Sequence, residues 1–358
     1  MMKGRLLLTI IIAAISVTAC FNIGPKTIPR DRFDYNEAIS NSWKEQTLLN
    51  IVKLRYADMP LFVDISSVVS GYTLESEVNV LGSRSSSGSL AGNSATVGGR
   101  ATFTDRPTIT YAPITGSQFN KSFMTPIPPR SILFLLQSGW SADMILPLTV
   151  DSINGLRSQI SAGSRARSGD DSYYRVVELI RKMQLDGATG MQLQRDELSN
   201  ETALLIIHKA ALDEEGKAAS NEFESLLGLR PDLQEIGVNY GYLPEDDSEI
   251  AMITYSMLQI IIKLATQIDV PSEHAADGRT VPSAQIGENG GRQKLVRITS
   301  STEEPENPFV AVRYRDHWYS IDDRDFSSKS VFTFVMILFS LTESGDNARL
   351  PIVTIPTG

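Results

Sequence analysis

VAVRYRDHWYSIDDRDFSSKSVFTFVMILFSL (residues 310–341) changes its period part-way along, and that change sets the fold class. Val310 to Tyr314 and Trp318 to Ile321 alternate apolar with polar residues, the repeat of a strand with one buried face. Asp316-His317 between them predicts a tight hairpin. From Ser328 to Leu341 the repeat turns helical. Val331 to Leu341 is almost wholly apolar but falls short of the roughly 20 residues that span a bilayer, so it reads as a buried core helix. The class predicted is α+β: mixed or antiparallel sheets packed against amphipathic helices.

Toward the amino terminus the two periods keep exchanging. Lys294 to Ile298 reads as strand and Val270 to Gly291 as a long irregular loop. Met257 to Ile268 is a helix with a wide apolar face, stopped by Pro271. Gly237 to Leu243 and Ile250 to Tyr255 read as strands, Glu214 to Leu227 as helix, and Met191 to Arg195 and Ala203 to His208 as strands. Asp170 and Asp171 open a helix with the stripe Tyr173, Val176, Val177, Ile180 and Met183, closed by Gly187. Ser158 to Gly169 is polar and locally basic, and is taken as the boundary between regions 34–157 and 170–358, which form one large or two modest domains.

Before that boundary, Met144 to Ile153 reads as strand and Ser131 to Ser138 as a short apolar helix behind Pro128 and Pro129. Leu74, Val78 and Val80 alternate with Thr73, Glu75, Glu77 and Asn79, and Val97, Ala101 and Phe103 alternate in turn beyond a Gly/Ser-rich stretch. This is a long hairpin with the dyad pattern also seen in membrane barrels, although a half-wet sheet has the same pattern. Thr108 to Ala112 continues as strand, and Leu61 begins one. Asp34-Tyr-Asn-Glu37 has the form of a capping box. It opens a helix of about 22 residues, with Ile39, Trp43, Leu48, Ile51, Val52 and Leu54 on or near one face, ending before Pro60. Pro351 to Ile355 reads as a last strand.

The amino terminus is an address. Lys3 and Arg5 precede an apolar run, Leu6 to Val17, too short for a membrane span, and Thr18-Ala19-Cys20 follows. Val17-Thr18-Ala19-Cys20 resembles the lipobox of bacterial lipoproteins. That resemblance implies a signal peptide of residues 1–19, cleavage before Cys20, and a diacylglyceryl thioether with an added acyl chain (palmitate, for example) on Cys20. Residues 20–33 would then be a lipidated tether, with Pro25 and Pro29 expected to prevent a regular helix. In that class Phe21, where an Asp would retain the protein at the inner membrane, implies the outer membrane, facing the periplasm, if the source is diderm.

Cys20 is the only cysteine, so no disulfide forms within the chain and no cysteine zinc site exists. Hydrophobic residues make up 42%, enough for a real core. Loss of Lys3 and Arg5 with the leader takes the net charge from −9 to −11, which argues against nucleic acid and against electrostatic adhesion to anionic lipid.

The densest charge constellation is Ile321-Asp-Asp-Arg-Asp325. Asp322, Asp323 and Asp325 are the candidate ligands for a hard cation, but carboxylates ahead of a helix more often cap it. His208, His274 and His317 lie far apart and in no ligand-spaced motif, with His317 read as an exposed turn residue beside Trp318. No serine sits in a Gly-x-Ser-x-Gly elbow, and neither glycine-rich stretch ends in Gly-Lys-Ser/Thr. No catalytic residue and no cofactor is assigned.

Three further stretches carry a second resemblance: Arg32-Phe33-Asp34-Tyr35-Asn36 with Leu48 to Tyr56; Ser256 to Pro271; and Val310 to Ser330, including Arg313-Tyr314-Arg315. The mature chain resembles a family of bacterial envelope lipoproteins with no assigned activity, which transfers no functional residue. The function expected is a non-enzymatic binding or scaffold lipoprotein, held on a membrane by its lipid, with an envelope protein as partner. A subunit of an oligomeric export or pore assembly is the alternative, and an envelope hydrolase the third.

Overall fold

The computed structural model describes residues 24–69, 72–84, 93–105, 108–160, 167–195, 201–283 and 294–342. The leader, Cys20, the tip of the long hairpin and the expected strand Pro351 to Ile355 lie outside these residues. The fold is α+β. The described residues fall into two compact units: those of the segment Leu61–Phe119, and those of 24–60 with 120–342.

Helix α1 (Gly24–Arg55) is longer than its sequence predicts and includes Asp34, so the expected cap is interior and the tether's described part is helical. Pro25 sits in the first turn, where the amide hydrogen it lacks would have no intrahelical partner, and Pro29 removes one bond only. Leu48, Ile51 and Val52, spaced for one face, are fully buried. The helix stops in a Schellman arrangement: Asp58 N–H donates to Lys53 O (2.9 Å), Ala57 N–H donates to Leu54 O (3.2 Å), and Ala57 takes a positive φ of 56°.

The smaller unit holds β1 (Val63–Val69), β2 (Tyr72–Arg84), β3 (Asn93–Asp105) and β4 (Thr108–Pro113). β2 and β3 pair antiparallel along their whole length, with Leu74 opposite Phe103 and Val80 opposite Val97, as the alternation predicts. β4 pairs with β1 in a sheet of its own instead of extending that hairpin.

In the larger unit come α2 (Pro129–Gln137), α3 (Ala142–Thr149), β5 (Val150–Ile153), β6 (Leu156–Arg157), α4 (Asp171–Leu185), β7 (Thr189–Arg195) and β8 (Glu201–Ile207). α5 (Glu214–Leu227), β9 (Glu235–Tyr240), β10 (Glu249–Thr254), α6 (Met257–Ala265) and α7 (Ser272–Ala276) follow. β11 (Thr299–Ser301), β12 (Pro308–Tyr314), β13 (His317–Asp322) and α8 (Phe326–Thr342) complete it. A six-stranded mixed sheet runs β6-β5-β10-β9-β8-β7, and a three-stranded antiparallel sheet runs β11-β13-β12. β5 and β6 precede residues 158–169, and β10, to which β5 pairs, follows them. The larger sheet therefore continues across the boundary expected there.

Two strands are corrected. The segment Met144 to Ile153 is mostly helix α3, and only Val150–Ile153 is extended. Ile145, Leu146 and Leu148 are buried on every side, and a continuous apolar run carries no period to separate helix from strand. Lys294 to Ile298 is irregular because side chains take its amides: Leu295 and Val296 N–H donate to Gln267 Oε1, and Arg297 N–H donates to Ser328 Oγ. The loop from Val270 contains the short helix α7. α8 packs Phe332, Phe334 and Val335 fully into the core. Among the described residues no helix is long and apolar enough to cross a membrane.

Candidate functional site

A groove of about 510 Å³ opens where α2 lies against edge strand β7. The sequence places α2 by proline: Pro128 and Pro129 fix the start, and Ile132, Leu133 and Leu135 form the buried stripe. That stripe leaves Phe134 on the outer face, 59% exposed. Period-two alternation in β7 brings Met191 and Leu193 to the groove, with Leu193 50% exposed. Ile127 and Leu338 extend the apolar lining, and its charged members, Lys121 and Arg130, are both cations in a chain of net charge −9. β7 pairs with β8 along one edge, and among the described residues no strand pairs with the other. An apolar groove along an edge strand can take an extended segment: backbone groups add a strand, and the groove receives alternate side chains.

A second constellation lies where the carboxyl end of α1 meets α7 and the β12–β13 hairpin. Tyr56, the residue after α1, places its hydroxyl 2.7 Å from His274 Nδ1 and 2.5 Å from the Tyr319 hydroxyl. His274 and His317 are 1% and 8% exposed, and their rings meet edge to face at 4.8 Å between centroids. His317 Nε2 lies 3.4 Å from Glu273 Oε1. Burial, then the Arg279 charge, then His317 depress the His274 pKa below the usual imidazole value, so its ring is neutral at pH 7. Burial pushes the Tyr56 and Tyr319 hydroxyls up, so both stay protonated.

The hairpin turn explains why His317 is buried and not exposed as its sequence position suggested. The two turn residues are Arg315 and Asp316, both at positive φ (49° and 67°), and Tyr314 pairs with His317. This is the primed turn that two-residue hairpins favour, shifted one residue from the expected tip. Neither residue is glycine, so the turn carries strain. The Arg315 side chain offsets it by an ion pair to Asp58 (3.0 Å) and by lying over the Tyr56 ring (5.0 Å). Tyr314 also donates to Asp58.

Of the acidic constellation, only Asp325 caps a helix among the described residues. Asp325 Oδ1 accepts the Ser328 N–H (3.1 Å) and Oδ2 the Ser328 hydroxyl (2.7 Å), capping α8. Asp322 takes the Arg324 amide and guanidinium, which hold its pKa down at about 2. Asp323 pairs with Lys329 at 2.7 Å. The three carboxylates thus serve three separate local partners. The remaining histidine, His208, precedes a single helical turn, Lys209–Ala211.

Ser158, Tyr255 and Lys263 also meet: the Ser158 hydroxyl lies 3.1 Å from that of Tyr255 and 3.4 Å from Lys263 Nζ. Tyr255 donates to Asp151 (2.8 Å), and Lys263 donates to Pro147 O (2.7 Å). Ser158 is fully buried, so this cluster ties β5, β10 and α6 together inside the fold. Desolvation pushes Lys263 down to about 8.

Spacing motifs in the sequence flag neither the groove nor the histidine cluster. Of the cluster's residues, Tyr56, His317 and Tyr319 fall within the stretches Leu48–Tyr56 and Val310–Ser330, whereas Glu273 and His274 lie just beyond Ser256–Pro271. Comparison of the chain with protein-family models, with curated proteins and with solved structures gives no match.

Proposed function

We propose that the chain is a lipid-anchored, non-enzymatic protein of the cell envelope that binds an envelope protein partner, receiving an extended apolar segment of it along β7. The anchor rests on the lipobox-like Val17-Thr18-Ala19-Cys20, and Phe21 in place of a retaining Asp supports the outer membrane, facing the periplasm, if the source is diderm. The observation that carries the binding site is the conjunction of the 510 Å³ apolar groove with the outer edge of β7. The groove's volume falls in the range of ordinary binding clefts, about 300–1,000 Å³. Its cationic members favour a segment bearing an acidic residue beside its apolar ones.

A photo-crosslinking residue tests this in intact cells. Placed at Leu193 it is expected to capture one protein; placed at Glu178, on the exposed face of α4, it is expected to capture none. Phe134→Asp should abolish the Leu193 product without lowering Tm, because Phe134 is already mostly in water. Equal capture from both positions, or a product that survives Phe134→Asp, would remove the groove from the account.

A further inference from the structure

We propose that Glu273, His274 and His317 form a zinc site, a His₂Glu set that leaves a fourth position open. The ligand atoms of the three lie within 4.8 Å of one another. The 3.4 Å between Glu273 Oε1 and His317 Nε2 is close to the edge of a zinc tetrahedron, roughly 3.3 Å for bonds of about 2.0–2.1 Å. Imidazole with one carboxylate suits zinc and related transition ions; calcium and magnesium prefer all-oxygen sets.

The surroundings match what metal-bound imidazoles need. A ligating histidine binds through one nitrogen and hands the proton on the other to a fixed acceptor, which sets the tautomer. His274 Nδ1 is engaged by Tyr56 at 2.7 Å, so the ion would use Nε2. With Nδ1 protonated, the chain runs from His274 to the Tyr56 oxygen and from the Tyr56 hydroxyl to Tyr319, 2.5 Å away. His317 Nδ1 faces the Arg315 carbonyl at 3.4 Å, leaving Nε2 toward Glu273. The strained Arg315-Asp316 turn therefore presents His317 and supplies its acceptor.

Two nearby cations oppose a metal ion, and both are countered. Arg279 pairs with Asp277 at 2.6 Å, and Arg315 with Asp58 at 3.0 Å. Glu273 adds a carboxylate whose side chain is largely in solvent, so ion and water have a route in. Occupied, the site would fasten α7 to the start of β13. Sequence alone hides it because ligands 273 and 274 are adjacent while the third lies far along the chain.

The experiment uses the full chain in detergent, without a histidine tag. Titration with zinc chloride, followed by calorimetry and Tm, is expected to give one ion per chain and a Tm rise of about 5 °C or more at saturation. Glu273→Gln, a change in an exposed side chain, should weaken binding at least tenfold while leaving the metal-free Tm unchanged. His317→Gln should abolish it. Cobalt should give the intense visible bands of a four-coordinate ion. Absence of saturable one-to-one binding, equal affinity in Glu273→Gln, or magnesium binding as tightly as zinc would each overturn the proposal.

Discussion

Lys263 shows how one half-buried charge can be read as a pH dependence. Its ammonium reaches inward to Pro147 O and Ser158, beside the Tyr255 ring at 4.8 Å. Desolvation is the leading cause of its fall from 10.5 to about 8, partly countered by Asp151. Below pH 8 the amine is charged in both folded and unfolded chains, and the folded state bears the full penalty. Between pH 8 and 10.5 the folded chain releases the proton while the unfolded chain keeps it, so stability should rise with pH there. Allowing for partial solvent screening, the rise is on the order of 2 kcal/mol. Lys263→Met should erase it, so the wild-type minus variant difference in urea unfolding should climb from pH 8 to 10.5. A difference that stays flat across that window would mean the ammonium is already well solvated. Asp325 is the converse case, a carboxylate whose work is local. Asp325→Ala should cost about 1 kcal/mol through loss of the α8 cap. Calcium or magnesium should leave the wild-type Tm where it is. A Tm raised by either ion and lost in the variant would restore the cation reading of Asp322, Asp323 and Asp325.

Elements with a clear period were legible in the sequence. Glu214–Leu227 has the predicted bounds, and the β2–β3 register follows the alternation from Leu74 to Phe103. The failures have physical causes. Met144 to Ile153 is apolar without a period, and burial on all sides let it coil into α3. Lys294 to Ile298 alternates like a strand, yet Gln267 and Ser328, from elsewhere in the chain, take its amides first. The candidate sites were illegible for a related reason. Tyr56 is 218 residues from His274 and 263 from Tyr319, so the contacts that bury His317 are made by tertiary structure. The groove likewise needs α2 set against β7, and neither element carries a binding motif of its own.

For the whole molecule, the proposed lipid attachment rests on the lone cysteine behind a short apolar run, and among the described residues no helix is long and apolar enough to cross a membrane. Acyl chains on one cysteine and its amino group suffice for stable anchoring where a single chain is marginal. The groove and the histidine cluster lie in the same compact unit. The direct measurement is metabolic labelling with a radioactive fatty acid, followed by membrane fractionation of wild-type and Cys20→Ala chains. Label and membrane association are expected for the wild type. Neither label nor maturation is expected for Cys20→Ala. A Cys20→Ala chain that incorporates label and matures normally would contradict the proposed anchor.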